Sequence, residues 1–185
     1  SGLVGTDQVT LKNNSADPIT VTANGSFSFP TSIAYNSAYA VTVDQQPAHG
    51  VCTVSNATGS GITSNVNNIT VICSTNNYTV GGTVSGLAAG RQVTLLNNGA
   101  NALTVNSNRA FTFAGPVAYK GSYSVTVGTQ PYSQLCSVTN GAGTNVAADV
   151  SSVVVNCQTG VVSTMTSLST YASSSEGIAI SASGN

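Results

Sequence analysis

Two stretches decide the fold: "SGLVGTDQVTLKNNSADPITV" at residues 1–21 and "SGLAAGRQVTLLNNGANALTV" at residues 85–105. They belong to one repeat, because an offset of 84 residues aligns the chain with itself without a gap as far as the last cysteine. Roughly 40% of the paired positions are identical, which indicates a duplicated unit. We therefore predict repeat 1 (residues 1–74), repeat 2 (residues 75–158) and a tail (residues 159–185) that does not match either repeat.

The composition favours β-structure and argues against anionic partners. Thr, Ser, Asn, Val and Gly predominate, and this mixture supports strands and tight turns better than helices. Only four basic and five acidic side chains occur in 185 residues. We expect neither nucleic acid nor lipid headgroups as partners, because so few cations cannot neutralise a phosphate backbone or an anionic membrane. No apolar run reaches the roughly 20 residues that span a bilayer, and no signal peptide opens the sequence, as expected for a mature or excised segment.

Short alternating segments predict the strands of each repeat. In the first copy they are "QVTLK", "ITVTA", "SFSFP", "YAVTVD", "VCTVSN" and "NITVICS", each bounded by Gly, Pro or Asn. Asn24 and Gly25 predict a type I′ turn that joins the second and third segments in a hairpin. The repeat length suits a β-sandwich of about seven strands. The residues predicted to face inward are Ile19, Val21, Phe27, Phe29, Tyr39, Val41 and Val43.

Four cysteines occupy matching positions in the two repeats. They allow three pairings, and the equivalence of the copies favours Cys52 with Cys73 and Cys136 with Cys157. Each bridge would close a loop of about 20 residues and contribute about 3 kcal/mol. Disulfides predict an oxidising, extracellular compartment, whereas buried free thiols in a cytosolic protein are the alternative.

Several short segments of the repeat resemble a bacterial family of Ig-like tandem repeats. They are "YTVGGTVSGL", "VTLLNNG", "TVNSNRAFTF", "YSVTVGTQP" and "CSVTNG" with "VVVNC", and the resemblance covers residues 1–158. It implies two tandem Ig-like β-sandwich domains in a secreted or surface-anchored bacterial protein. It also implies no catalytic residues.

The residues themselves give little basis for catalysis or metal binding. His49 is the only histidine, its counterpart is Ser133, and we predict that it lies in a solvated loop. No Ser-His-Asp triad can be assembled without it. The acidic residues fall on separate turns, and no D-x-D-x-D-G loop predicts calcium. We expect no enzyme, no cofactor and no metal site.

The tyrosines are candidates for a carbohydrate-binding platform. Four of them recur in register and predict core or sandwich-corner positions: Tyr35, Tyr39, Tyr119 and Tyr123. Tyr132 has no aromatic counterpart and is predicted to be exposed. One exposed ring is a weak platform, so we do not expect carbohydrate binding.

The start of repeat 2 has no counterpart in repeat 1. "YTVGGTV" (residues 78–84) precedes the second copy, and no equivalent precedes the first in this sequence. We expect repeat 1 to lack its own first strand and to leave an apolar groove that another strand fills by β-augmentation. The tail offers two candidate donor segments. Their apolar residues are Val161, Val162 and Met165 in one and Ile178, Ile180 and Ala182 in the other.

Two functions follow from this tail. If it enters repeat 1 of a neighbouring copy, the contact is heterologous and does not close, so copies of the chain join head to tail in an extracellular filament. If it folds back on its own chain, the protein is a monomer. Alternatively, "VVSTMTS" and "SEGIAISASGN" are similar to the opening of an NHL-type propeller. The chain would then be a passive stalk of a larger cell-surface protein that presents a C-terminal propeller or adhesive domain.

Overall fold

The computed structural model describes residues 1–160, and every regular element in this range is a β-strand. The all-β prediction is therefore confirmed. No helix in the described range is long and apolar enough to cross a membrane. The strands are β1 (Val9–Asn13), β2 (Ala16–Val21), β3 (Tyr39–Gln45), β4 (Gly50–Ser55), β5 (Thr58–Gly59), β6 (Thr70–Thr75), β7 (Asn77–Tyr78), β8 (Val80–Ser85), β9 (Val93–Asn97), β10 (Ala100–Val105), β11 (Ala110–Thr112), β12 (Val117–Ala118), β13 (Tyr123–Thr129), β14 (Gln134–Thr139), β15 (Ala142–Gly143) and β16 (Val150–Thr159).

Repeat 2 builds one core from two four-stranded sheets. Their strand orders are β10-β9-β13-β15 and β11-β8-β16-β14. Alternate residues of both sheets meet in a single buried cluster, including Leu95 of β9 and Val155 of β16. The first strand, β8, is central to the second sheet because it pairs antiparallel with β11 and parallel with β16. Its valines Val80 and Val84 are buried in the cluster.

Repeat 1 reproduces the first of these sheets but only half of the second. Its sheet β2-β1-β3-β5 has the order of β10-β9-β13-β15, whereas β4 and β6 form a separate pair. Residues 26–28, which correspond to β11, form no strand. Ser1 aligns with Ser85, the last residue of β8. Among the described residues, β6 is therefore flanked by β4 on one side and by Ser1 on the other.

The two disulfides join neighbouring strands at equivalent places. Cys52 of β4 lies opposite Cys73 of β6, and Cys136 of β14 lies opposite Cys157 of β16. Both bridges are formed, with the sulfurs packed against the core of their own repeat. The predicted pairing is confirmed, and two disulfides are consistent with an oxidising compartment.

The hairpin predicted at Asn24–Gly25 is wrong. In repeat 2 the corresponding strands β10 and β11 belong to different sheets, so the chain crosses between sheets at this point. The Asn24 amide instead bonds the backbone of Leu3, accepting from its N–H and donating to its carbonyl oxygen, both at 2.9 Å. The Asn24 side chain is therefore held by the backbone of a residue 21 positions away, and not by a local hairpin turn.

The predicted inward-facing residues of repeat 1 differ in how well they are covered. Tyr39 and Val41 are buried, and the Tyr39 hydroxyl donates to the carbonyl oxygen of Asn56 at 3.1 Å. The other five pack against the same core but keep part of their surface in solvent; they are Ile19, Val21, Phe27, Phe29 and Val43. The alternation is thus correct, and the core of repeat 1 is incompletely closed.

Candidate functional site

An open cleft of about 1110 Å³ lies in repeat 1, lined by residues of both of its sheets. We call it the cleft. Its apolar lining consists of Leu3, Val9, Val21, Phe27, Phe29, Ile33, Val41, Ile62, Val66, Ile69 and Val71. These side chains would ordinarily be closed away from water, since an exposed apolar concavity of this size is typical of a binding site.

The equivalent space in repeat 2 is filled by β8. There Val105 and Phe113 are 0% and 3% exposed, and Val80 of β8 is 0% exposed. The counterparts of the first two, Val21 and Phe29, are only partly buried and line the cleft. The cleft is therefore the place that a strand equivalent to β8 would occupy.

Ser1 marks the direction and register of such a strand. Its amino group donates to the carbonyl oxygen of Val71 at 2.7 Å, and its own carbonyl oxygen accepts from the N–H of Cys73 at 2.9 Å. In repeat 2 the aligned residue, Ser85, lies in the parallel ladder beside β16. Ser1 thus holds the last position of the strand site, parallel to β6.

Two backbone edges flank the cleft. One is the free side of β6, and the other is the segment 26–28, whose counterpart β11 pairs with β8 in repeat 2. The aromatic pair beside this segment is already formed, because the rings of Phe27 and Phe29 meet edge to face at 6.1 Å, as those of Phe111 and Phe113 do at 5.7 Å. An entering strand would find hydrogen-bonding partners on both sides.

The strand that fills this place in repeat 2 contains two consecutive glycines. A Cβ atom on Gly82 would overlap the carbonyl oxygen of Val153, and one on Gly81 would overlap that of Phe111. Both contacts are with backbone, so rotation of a side chain cannot relieve them. Close approach on both edges therefore requires glycine at these positions.

The junction between the repeats is a second cluster of interactions. Strand β7 pairs with β12, and the N–H of Tyr119 donates to the carbonyl oxygen of Asn76 at 2.8 Å. The ring of Tyr119 lies parallel to the imidazole of His49, with the ring centroids 3.9 Å apart. A residue of repeat 2 is thus stacked on a residue of repeat 1.

His49 lies in a turn, as predicted, but its side chain is 34% exposed rather than fully in solvent. It is partly buried between Tyr119 and the buried carboxylate of Asp7, whose Oδ1 lies 3.0 Å from His49 Nδ1. The Lys120 ammonium is 5.7 Å from the centre of the Tyr119 ring. These partners come from three separate loops and from both repeats, so no local sequence pattern predicts their contact.

The recurring tyrosines do not share one role. Tyr39 and Tyr123 are buried, as predicted, but Tyr119 belongs to the junction and Tyr35 is 80% exposed, so the core prediction is wrong for these two. Tyr132 is exposed, as predicted, with the guanidinium of Arg91 at 5.0 Å from its ring centre. Within the described residues, Tyr119 stacks on His49 of the other repeat, whereas Tyr35 lies mostly in solvent.

The described residues offer little acid-base or metal chemistry. Residues 1–160 contain no group of three or more His, Cys, Asp or Glu side chains that could hold a metal ion. The N–H of Thr79 donates to Oδ1 of Asp149 at 2.7 Å, and this backbone hydrogen bond lowers the pKa of Asp149 below its ordinary value. This hydrogen bond fixes the backbone just before β8, so Asp149 has a structural role.

The candidate donor residues Val161, Val162, Met165, Ile178, Ile180 and Ala182 lie outside the described residues. Their insertion into the cleft stays a prediction. No protein-family model, curated protein or solved structure matches the chain.

Proposed function

We propose that the protein is a non-enzymatic structural subunit of an extracellular bacterial filament, built from two tandem Ig-like β-sandwich domains. Copies of the chain would join head to tail by inserting a strand into the cleft. The observation that carries this proposal is the difference between the repeats: the cleft of repeat 1 is the site that β8 fills in repeat 2.

The chemistry of the described residues supports a mechanical rather than a catalytic role. The two disulfides favour an oxidising environment and restrict unfolding of each repeat. Few charges interrupt the surface, since the whole chain carries nine formally charged side chains other than histidine. Among residues 1–160 the one buried acid is Asp7, which contacts His49. Tyr119 stacks on that histidine, so these groups hold the junction.

The chain path favours the tail of another copy as the donor. Repeat 1 passes from β6 through residues 76–79 directly into β8, which fills the site in repeat 2. After β16 the tail occupies the corresponding place in the chain, where a strand for a following unit would begin. A tail that enters repeat 1 of another copy makes a heterologous contact, and repetition of that contact extends the assembly indefinitely.

The test compares the full chain with a variant that lacks residues 161–185. At high protein concentration the full chain should form elongated particles in negative stain and a ladder of bands on unheated gels. The deletion variant should be monomeric, because the donor strand has been removed.

A matched control keeps the tail and blocks the acceptor. Fusing a copy of residues 77–84 ahead of Ser1 should fill the cleft within the same molecule and abolish the ladder. A full-length sample that is monomeric at every concentration would refute the filament, and so would a ladder that persists in both variants.

The junction favours a second candidate, a passive stalk of a larger cell-surface protein. Pairing of β7 with β12 and the His49–Tyr119 stack give consecutive repeats a defined contact. A stalk predicts an elongated monomer whose scattering profile does not change with concentration. Small-angle X-ray scattering over a hundredfold dilution range separates this candidate from the filament.

A further inference from the structure

We propose that the cleft is selective for a strand of the pattern apolar–Gly–Gly–x–apolar, oriented parallel to β6, so that its occupant resembles β8. The proposal rests on the function proposed above and specifies the partner of the same site. Strand addition uses main-chain hydrogen bonds for affinity and alternate side-chain positions for specificity. The cleft adds a further requirement, which is the absence of a side chain at the two central positions.

On its β6 side, the backbone around the cleft corresponds to the frame that imposes glycine in repeat 2. β6 pairs with β4 in the same register as β16 with β14, since the cystines and the Val54–Val71 and Val138–Val155 pairs correspond. The Asn56 amide donates to the carbonyl oxygen of Asn68, as that of Asn140 does to the carbonyl oxygen of Ser152. Ile69, just before β6, aligns with Val153, whose carbonyl oxygen excludes a Cβ at Gly82. On the other side residues 26–28 form no strand, so exclusion at the Gly81 position would follow when these residues pair with the inserted strand.

The flanking positions require apolar side chains. In β8, Val80 and Val84 point into the core and are fully buried, whereas Thr83 is exposed. These valines pack in the core of repeat 2. The equivalent core residues of repeat 1 that line the cleft, among them Val21 and Phe29, are only partly buried. Because Ser1 already occupies the place of Ser85, the inserted strand must end at the position of Val84.

Neither tail segment meets the requirement for glycine at both central positions. If Val161 takes the place of Val80, Val162 and Ser163 fall at the positions of Gly81 and Gly82. If Ile178 takes that place, Ala179 and Ile180 fall there. Both segments place side chains where β8 meets backbone, and both are therefore poorer donors than a copy of β8.

The experiment measures binding of five synthetic octapeptides, four test peptides and one control, to the full chain by isothermal titration calorimetry. The first copies residues 77–84 (NYTVGGTV), and the second is the same peptide with Gly82→Val. The other two copy residues 158–165 (QTGVVSTM) and 175–182 (SEGIAISA). A fifth peptide with Thr83→Val is the matched control, because it adds a β-branched residue at the exposed position of the same strand.

The copy of β8 should bind with one peptide per chain, since repeat 2 already contains its own β8. The Thr83→Val control should bind equally well, and Gly82→Val should bind at least tenfold more weakly. Both tail peptides should bind more weakly than the copy of β8. Hydrogen exchange should slow at residues 69–73 and 26–28 of repeat 1, with no change at the equivalent residues of repeat 2.

Failure of the β8 copy to bind, or equal binding by the Gly82→Val peptide, would overturn the selectivity. That result leaves the filament proposal standing if deletion of residues 161–185 still abolishes the ladder. Conversely, selective binding by a chain that never polymerises would support the selectivity and refute the filament. The two proposals therefore fail separately.

Discussion

Repeat 1 and repeat 2 have similar sequences, yet only repeat 2 closes its core. Val105 of repeat 2 is fully buried, whereas the aligned Val21 of repeat 1 is partly exposed. The difference comes from one strand, since β8 pairs with both β11 and β16 and buries two valines. The comparison teaches that in repeat 2 the first strand completes the packing of the unit and pairs with β11, whereas the aligned residues 26–28 of repeat 1 form no strand.

The largest expected effect comes from removing the disulfides, and it should differ between the repeats. Each double replacement, Cys52→Ala with Cys73→Ala or Cys136→Ala with Cys157→Ala, removes about 3 kcal/mol. We expect repeat 1 to lose its folding transition, because its core is open along the cleft. Repeat 2 should stay folded with a Tm lowered by roughly 15 °C. Differential scanning calorimetry of both variants measures this, and equal shifts would mean that the cores are equally stable.

Adding the β8 sequence to repeat 1 should bring the two repeats closer together in stability. Fusion of residues 77–84 ahead of Ser1 would bury two more valines and cover Phe27 and Phe29. Burial of a valine contributes about 1.5–3 kcal/mol, so after the cost of ordering the added strand we expect a gain of about 3 kcal/mol and a Tm raised by roughly 15 °C. Calorimetry is the measurement. The control carries valines in place of both glycines, and a similar gain in that control would show that the strand site does not require glycine.

The junction provides a smaller and more local comparison. Tyr119 stacks on His49, whereas the aligned Tyr35 is mostly in solvent. Tyr119→Ala should cost about 1 kcal/mol, the usual contribution of an aromatic pair, and should shift the NMR resonances of the His49 ring. Tyr35→Ala is the matched control, and the effect of an exposed substitution of this kind is usually within about 0.5 kcal/mol. Equal losses in urea unfolding would show that the stack contributes nothing.

The smallest effect should be a dependence on pH at the start of β8. The hydrogen bond from Thr79 lowers the pKa of Asp149 from its ordinary 3.8. A lowered pKa means that the unfolded chain binds this proton first as the pH falls. The stabilisation is therefore present above pH 3.8 and is lost as the pH falls through the lower, folded value. In urea unfolding, Asp149→Asn should be less stable than the parent protein at pH 6, and the two should converge in acid. A difference in stability between the two proteins that does not change with pH would show that the Asp149 charge is not its cause.

The sequence predicted the features that depend on alternation and repetition. The all-β class, the cystine pairs and the inward-facing residues of β2 and β3 follow from period-two patterns and from matching positions in two copies.

The features that were missed depend on contacts between distant residues. Asn24 has a turn-forming neighbour, but the Leu3 backbone captures its side chain from 21 residues away. His49 and Asp7 are 42 residues apart in the chain and meet only in the folded repeat 1. Tyr35 and Tyr119 sit at equivalent positions, and only the neighbouring repeat distinguishes them. A single repeat carries no local signal for any of these contacts.

The parallel pairing of β8 with β16 determines how repeat 2 responds to tension. The chain enters repeat 2 at β8 and leaves it after β16, so a pull on the two ends drives these adjacent strands in opposite directions along their length. The hydrogen bonds between them then share the force in shear and must break together rather than one after another. A strand donated into the cleft would lie beside β6 in the same orientation, so an intermolecular joint of that kind would also be loaded in shear.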